Sequence, residues 1–275
     1  MTDSTACIPQ SVASQWGISI VQLQVRIGDY VDDESRVSAE TLISAMNGGE
    51  DVATEPPDPA AFFWTYQDAM ARGARAVLSL HLSGLMSKTV DNAREAAEAV
   101  SIPVHVIDTG TIAMSLGRGV LTAARVAEAG ADIRQILAVA TPRLRRGTEL
   151  IHVETLDYLR KGGRIGAAKY MVGRALGVKP LLTVHRGQVS PLETSIGSER
   201  SIRKLVDRAV EQASKGAVDV TVQHFGEDDR VGPVVEQLRE RIPQAREIST
   251  VDVTAVIGVH LGPGAFGVSI SPLAS

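Results

Sequence analysis

The sequence predicts an α/β protein in two parts: a parallel sheet with helices on both faces, then a mixed sheet. Two observations carry this. From residue 18 to about 147, apolar β-type runs alternate with helix-type segments, the rhythm of βαβ units. After about 147 the rhythm breaks. VKPLLTVHRGQVSPLET (178–194) reads as two strands joined at Arg186-Gly187, and a hairpin makes antiparallel neighbours. The boundary at 147 divides the chain into 1–147 and 148–275.

The elements follow in order. ISIVQLQVRI (18–27) reads as a strand. GGEDVATEPPDP (48–59) reads as a loop, because three prolines and two glycines exclude a helix or a central strand. Asp58-Pro59 starts a helix that Gly73 stops. ARAVLSLHL (74–82) is a buried strand, and residues 87–100 a helix capped by Ser87. PVHVID (103–108) is a strand, and residues 111–130 a long helix ending in glycine, with another helix from Asp132. In the second part, ELIHVET (149–155) is a strand and TLDYLRKGGRIG a short helix ending in two glycines. After the hairpin come a helix (198–215), a strand (218–224), a helix (228–241) and further strands.

Composition narrows the function. With 275 residues and 44% hydrophobic content the chain can bury a large core. A net charge of −4 and 4% aromatic residues argue against a nucleic-acid partner. The single cysteine allows no internal disulfide and favours a reducing compartment. The N-terminus MTDSTACIPQ has no basic and apolar signal-peptide regions, and runs such as 18–27 and 253–259 are too short to cross a bilayer. The expectation is a cytoplasmic protein. Six scattered histidines without H-x-x-x-H or C-x-x-C spacing argue against a metal site.

Four motifs stand out. VIGVHLGPGAFGV (256–268) contains G-P-G-A-F-G after an apolar run that reads as a strand carrying His260. A dinucleotide loop needs a following helix and an acidic residue about 20 positions on, and only eight residues remain, none acidic. The glycines read instead as a tight turn between two strands. Ser83, in LSLHLSGLMSKT (78–89), lies after a strand and before a helix, where α/β sheets bind ligands. No G-x-S-x-G elbow surrounds it. Lys161-Gly162-Gly163-Arg164 has one glycine more than a helix cap needs, which lets Arg164 approach a ligand closely. Arginine suits bidentate carboxylate recognition. Asp108 ends a strand and either lines the cleft or caps the next helix.

Taken in order, the motifs resemble the DegV family of bacterial fatty-acid-binding proteins. Thr2-Asp3-Ser4-Thr5-Ala6 looks like that family's opening segment, and Thr54-Glu55-Pro56-Pro57 sits at its T-S-Q-P. Residues 82–89 resemble S-S-x-L-S-G-T, and Asp108-Thr109 with Ser115-x-Gly117-x-Gly119 matches D-S…S-x-G-x-G. Thr155-Leu156-Asp157-Tyr158-Leu159-Arg160-Lys161-Gly162-Gly163-Arg164-Ile165 is similar to its t-L-x-y-L-k-k-G-G-R-I. Val178-Lys179-Pro180 fits x-K-P, and residues 258–265 fit G-t-H-x-G-P-G-a. Two positions depart from the pattern: Glu55 stands in place of serine, and Lys88 in place of the glycine of S-G-T.

The resemblance implies a two-domain fold, a three-layer parallel-sheet domain and a two-layer mixed-sheet domain, binding a long-chain fatty acid in a tunnel between them. It implies that Thr54, Ser83, Arg164 and His260 surround the carboxylate. It further implies a carrier without catalysis or cofactor, a monomer whose membrane contact is at most transient. Such a carrier presents its acid to a separate fatty acid kinase, which forms an acyl phosphate for phospholipid synthesis. Two other readings compete. A subunit like that of the dihydroxyacetone kinases would capture a small carbonyl ligand through His260, and a serine hydrolase would pair Ser83 with His260.

Overall fold

The structure is a computed structural model and describes residues 1–171 and 177–273. The chain opens with β1 (Thr2–Asp3), α1 (Gln10–Gln15) and β2 (Ile20–Val21). Next come β3 (Gln24–Ile27), β4 (Tyr30–Asp33), α2 (Ala39–Asn47) and β5 (Val52–Glu55). The first half closes with α3 (Pro59–Ala71), β6 (Val77–His81), α4 (Thr89–Glu98), β7 (Val104–Asp108), α5 (Ala113–Glu128) and α6 (Ile133–Arg146). The second half runs β8 (Thr148–His152), α7 (Asp157–Lys161), β9 (Val178–His185), β10 (Gln188–Ile196), α8 (Ser198–Ala213), β11 (Val218–His224), α9 (Val231–Arg241), β12 (Ala245–Asp252), α10 (Ala255–Leu261) and β13 (Phe266–Pro272).

The first sheet is all parallel, in the order β2-β1-β6-β7, with Thr2 opposite Leu80 and His81 opposite Asp108. One face packs Val21 and Val77 against Phe62 and Tyr66 of α3 and Ala93 and Ala96 of α4. The other packs Leu80 against Leu116 and Val120 of α5 and Ile136, Ala140 and Leu144 of α6. Helices thus cover both faces, giving three layers. Local signals set the helix starts. Asp58 accepts from the Ala60 amide with Pro59 in the first turn, and Asp132 forms a reciprocal capping box with Gln135. Ser79, His81 and Asp3 form a hydrogen-bond chain resembling a hydrolase triad, but all three are fully buried. Asp3 also accepts from the Leu82 amide, so this chain fastens the N-terminal segment to the end of β6.

The second sheet has six strands, β10-β9-β8-β13-β11-β12, in which β11 and β12 are the parallel pair. Strand alternation gives it two unlike faces. Leu150, Val220, Val222, Val268 and Ile270 face α8 and α9 in an apolar core. The alternate residues Glu149, Asp219, Thr221, Gln223, Ser269 and Ser271 are buried and polar. They face α5 and α6, where Arg143 pairs with Asp219 and donates to Ser271 (2.9 Å), and Arg118 reaches Glu247 (2.7 Å) and Ser249 (2.8 Å). Each of these buried arginines has a carboxylate partner, which offsets the cost of taking its charge out of water. The network joins residues on both sides of position 147.

Three expectations need correction. The run 18–27 is two strands. β2 pairs with β1 in the parallel sheet, whereas β3 is the centre of a separate antiparallel sheet, β4-β3-β5. The break falls where the Leu23 amide donates to the Ser4 hydroxyl (3.0 Å) instead of to a strand. The 48–59 loop contains β5, which its prolines allow because all three lie after the strand ends at Glu55. The apolar run before G-P-G is the helix α10, with Thr254 extended as its N-cap residue. Buried Glu34 accepts from the Val256 amide (2.8 Å) and so satisfies one of the helix's unpaired first-turn donors. The turn itself is as expected, with Gly262 at φ 84° and Gly264 at φ 76°. At α4 the N-cap residue is Lys88. Ser87 supports the start by accepting from the Thr89 amide (3.3 Å).

Candidate functional site

An apolar cavity lies where β5, the β6–α4 turn, α7, α10 and the polar face of the large sheet meet. It is narrow and partly open to solvent. Its walls include Leu23, Met86, Ile112, Ile151, Leu159, Val184, Val256 and Leu261. Lining residues come from both 1–147 and 148–275. Among the polar groups on its wall are Thr54, Ser87, Arg164 and His260.

His260 sits in the last turn of α10. Its Nε2 lies 2.9 Å from the Thr54 hydroxyl, while its Nδ1 is buried and has no partner among the described residues. Burial, and then the nearby Arg164 guanidinium, lower its pKa to about 4, so the imidazole is neutral at physiological pH. A neutral imidazole beside a hydroxyl and a guanidinium offers a carboxylate donors without a second fixed cation. Thr54 is placed by β5, where it lies opposite Val25.

The double glycine of α7 has two separate causes. Gly162 ends the helix in ordinary helical geometry, but a methyl group there would overlap the His260 ring. Gly163 takes φ 71°, the left-handed conformation that favours glycine. Together they turn the chain so that Arg164 points back. Its Nε donates to the Met86 carbonyl (3.0 Å) and its Nη1 to the Gly162 carbonyl (2.6 Å). Nη2 makes no hydrogen bond among the described residues, which leaves one arm of the guanidinium for a ligand. Gly262 plays a similar part on the other side, since a methyl there would overlap the Tyr158 ring.

Of the four residues named from the sequence, Thr54, Arg164 and His260 meet at this cavity. Ser83 does not line it. Ser83 is buried, and its hydroxyl donates to the Gly187 carbonyl in the β9–β10 turn (2.8 Å). It makes no hydrogen bond with His260, whose Nε2 lies against Thr54 instead. Ser87, four residues on, lines the cavity, and its hydroxyl lies 2.8 Å from that of Thr89. The two departures fall differently. Glu55 lines the cavity beside Thr54; it is exposed and makes no ion pair among the described residues. Lys88 has φ −76°, which needs no glycine. Asp108 accepts from the Gly84 and Gly110 amides and lies outside the cavity.

Two supporting residues had no sequence signal. Glu34 anchors α10 and thus the histidine. Glu154 accepts from Lys179 (2.7 Å) and Ser198 (2.8 Å) and pairs with Arg230, whose Nη2 donates to the Gly264 carbonyl (2.9 Å). Burial opposes ionisation of Glu154, but its hydrogen bonds with Lys179, Ser198 and His152 pull its pKa down to about 2. The cluster holds the G-P-G turn from behind. Among the described residues no group of three or more His, Cys, Asp or Glu side chains is placed to hold a metal ion, and no helix is long and apolar enough to cross a membrane.

Comparison with known proteins agrees with the architecture. A family model described as uncharacterised protein, DegV family, matches residues 1–273. A DegV domain-containing protein of Streptomyces coelicolor is 40% identical over 98% of this chain and 97% of its own length. A DegV family protein from Thermus thermophilus, solved in a study of fatty acid binding, superposes with a TM-score of 0.92 at 30% identity, covering 99% of this chain and 98% of that one. A fatty-acid-binding DegV protein from Bacillus subtilis superposes at 0.88 with 26% identity, covering 98% of this chain and 97% of that one.

Proposed function

The chain belongs to the DegV family, and from that premise we propose that it binds a long-chain fatty acid in the apolar cavity. Its carboxylate would lie against Thr54, Arg164 and His260. Position 147 is then the border between two domains, with the acid held in a tunnel between them. The observation that carries this reading is the cavity itself. A largely apolar cavity ends at a hydroxyl, a guanidinium arm with no hydrogen bond among the described residues and a neutral imidazole, drawn from three separate segments. A sixteen-carbon acid has about fourteen methylenes, each contributing roughly 0.8 kcal/mol on burial, or about 11 kcal/mol before the costs of association. The head group needs donors, or burial would protonate it.

Ser83 was expected at the head group. Its hydroxyl is engaged by Gly187, so we assign that place to Ser87. The protein has no reaction of its own in this reading. It is a monomeric cytoplasmic carrier that holds the acid for a fatty acid kinase acting in trans, at the entry to phospholipid synthesis. The test is mass spectrometry of an organic extract from natively purified protein, paired with uptake of added acid. A co-purified acid of about fourteen to eighteen carbons is expected. Absence of any such acid, together with no uptake, overturns the proposal. The kinase step is tested separately, by acyl-phosphate formation when a fatty acid kinase and ATP are added to loaded protein.

A further inference from the structure

A second cavity, distinct from the acyl-chain cavity, opens at the carboxyl ends of the parallel strands. It is a groove with about 1810 Å3 of empty space, open to solvent. One wall is the segment after β6 and β7, from Ser83 and from Asp108 to Thr111. The opposite wall is the β9–β10 hairpin, and the end of α6 closes one side. Such carboxyl ends are where open α/β sheets bind ligands.

The groove's charge is opposite to that of the molecule. The chain carries a net charge of −4, yet four arginines line this groove: Arg145, Arg146, Arg186 and Arg208. Asp108 is its one lining carboxylate, and both of its oxygens accept from backbone amides, at Gly84 and Gly110. Arg208 is engaged by Glu193 and Glu211. Arg145, Arg146 and Arg186 have no hydrogen-bond or ion-pair partner among the described residues. Arg186 lines the groove from the hairpin turn, where it takes φ 50° beside Gly187. The Ser83 hydroxyl fixes that turn by donating to the Gly187 carbonyl.

We propose that this groove is a binding site for a phosphate-type anion. Three guanidinium groups line one groove without carboxylate partners among the described residues, and guanidinium forks suit phosphate oxygens in geometry and charge. A cationic cleft in an anionic protein also concentrates such ligands. The site is independent of the fatty-acid reading, because Thr54, Arg164 and His260 take no part in it. It nevertheless adjoins the acyl cavity, with Val184 lining both.

The experiment is titration of the full chain with inorganic phosphate, followed by calorimetry, and in parallel with phosphatidylglycerol vesicles, followed by co-sedimentation. Each is run on the wild type and on R145Q/R146Q, with fatty-acid uptake measured as a check on folding. Saturable phosphate binding weakened about tenfold or more in the variant supports a soluble phosphate ligand, as loss of charge-assisted hydrogen bonds predicts. Vesicle binding without free phosphate binding, lost in the variant, supports the same chemistry supplied by a lipid head group. R186Q alone gives a smaller loss in the same direction. Equal binding by wild type and variant, or no binding of either probe by wild type, overturns the proposal.

Discussion

Acidification reads the state of His260 directly. In the folded protein burial and Arg164 hold its pKa at about 4, whereas in the unfolded chain it titrates near 6.5. Above 6.5 the imidazole is neutral in both states and has no effect on the pH dependence. As the pH falls from 6.5 towards 4 the unfolded chain takes up a proton that the folded protein refuses, so stability is lost over that window and levels off below it. The fall from 6.5 to about 4 corresponds to about 3 kcal/mol at roughly 1.4 kcal/mol per pH unit. The assay is urea unfolding of ligand-free wild type and His260→Gln at a series of pH values from 7.5 to 4. Other titrating groups, such as His152, whose pKa burial also lowers, act in both proteins and cancel in the difference. The wild type should lose about 3 kcal/mol more than the variant across the window. Parallel stability curves would refute the buried, neutral imidazole. A bound carboxylate favours the imidazolium, so saturating fatty acid at pH 6 should shrink the difference.

The other predictions concern the residues around that ring. Thr54→Val removes the hydroxyl beside Nε2 and should weaken acid binding about ten- to hundredfold, measured by displacement of a fluorescent fatty acid; unchanged affinity would remove Thr54 from the head-group site. Gly162→Ala forces a methyl into the imidazole and should cost about 1–3 kcal/mol of stability together with most acid binding. Gly163→Ala strains only the left-handed backbone and should cost about 1–2 kcal/mol while sparing the ring. Ser83→Ala leaves the Gly187 carbonyl unpaired and should lower stability by about 1–3 kcal/mol with little change in affinity. Ser87→Ala should show the reverse pattern, and weaker binding in Ser83→Ala than in Ser87→Ala would contradict the assignment.

What could be read from the sequence depended on how local its cause was. The α3 start at Asp58-Pro59, the Asp132 capping box and the Arg186-Gly187 turn are each decided within four residues, and each was legible. The identity of α10 is not local. Seven mostly apolar residues suit a buried strand as well as a buried helix, since periodicity cannot separate the two at that length. The Glu34 carboxylate, 222 positions away, supplies the bond that caps it as a helix. Ser83 and Ser87 show the same limit on a smaller scale. Both lie in the turn between β6 and α4, and only the position of the β9–β10 hairpin decides which one faces the acyl cavity.

The misread element also explains why two glycine motifs occur in one site. On a strand, His260 would project straight from the sheet and the G-P-G turn would only reverse the chain. On the last turn of a helix, the ring is carried sideways against α7, into space that exists because Gly162 has no side chain. Gly262 then lets the chain leave that helix beside Tyr158, and the Glu154–Arg230 pair holds the turn at Gly264. Gly162 makes room for the imidazole, Gly163 turns Arg164 back, and Gly262 and Gly264 fix the end of the helix that carries the ring. Substitutions at Gly162 and Gly264 should therefore disturb the same group, the His260 imidazole. Gly162→Ala and Gly264→Ala should lower acid affinity separately, and combining them should add less than the sum of the two, because the second change acts on a ring already displaced. Full additivity would mean that the motifs act on separate parts of the site.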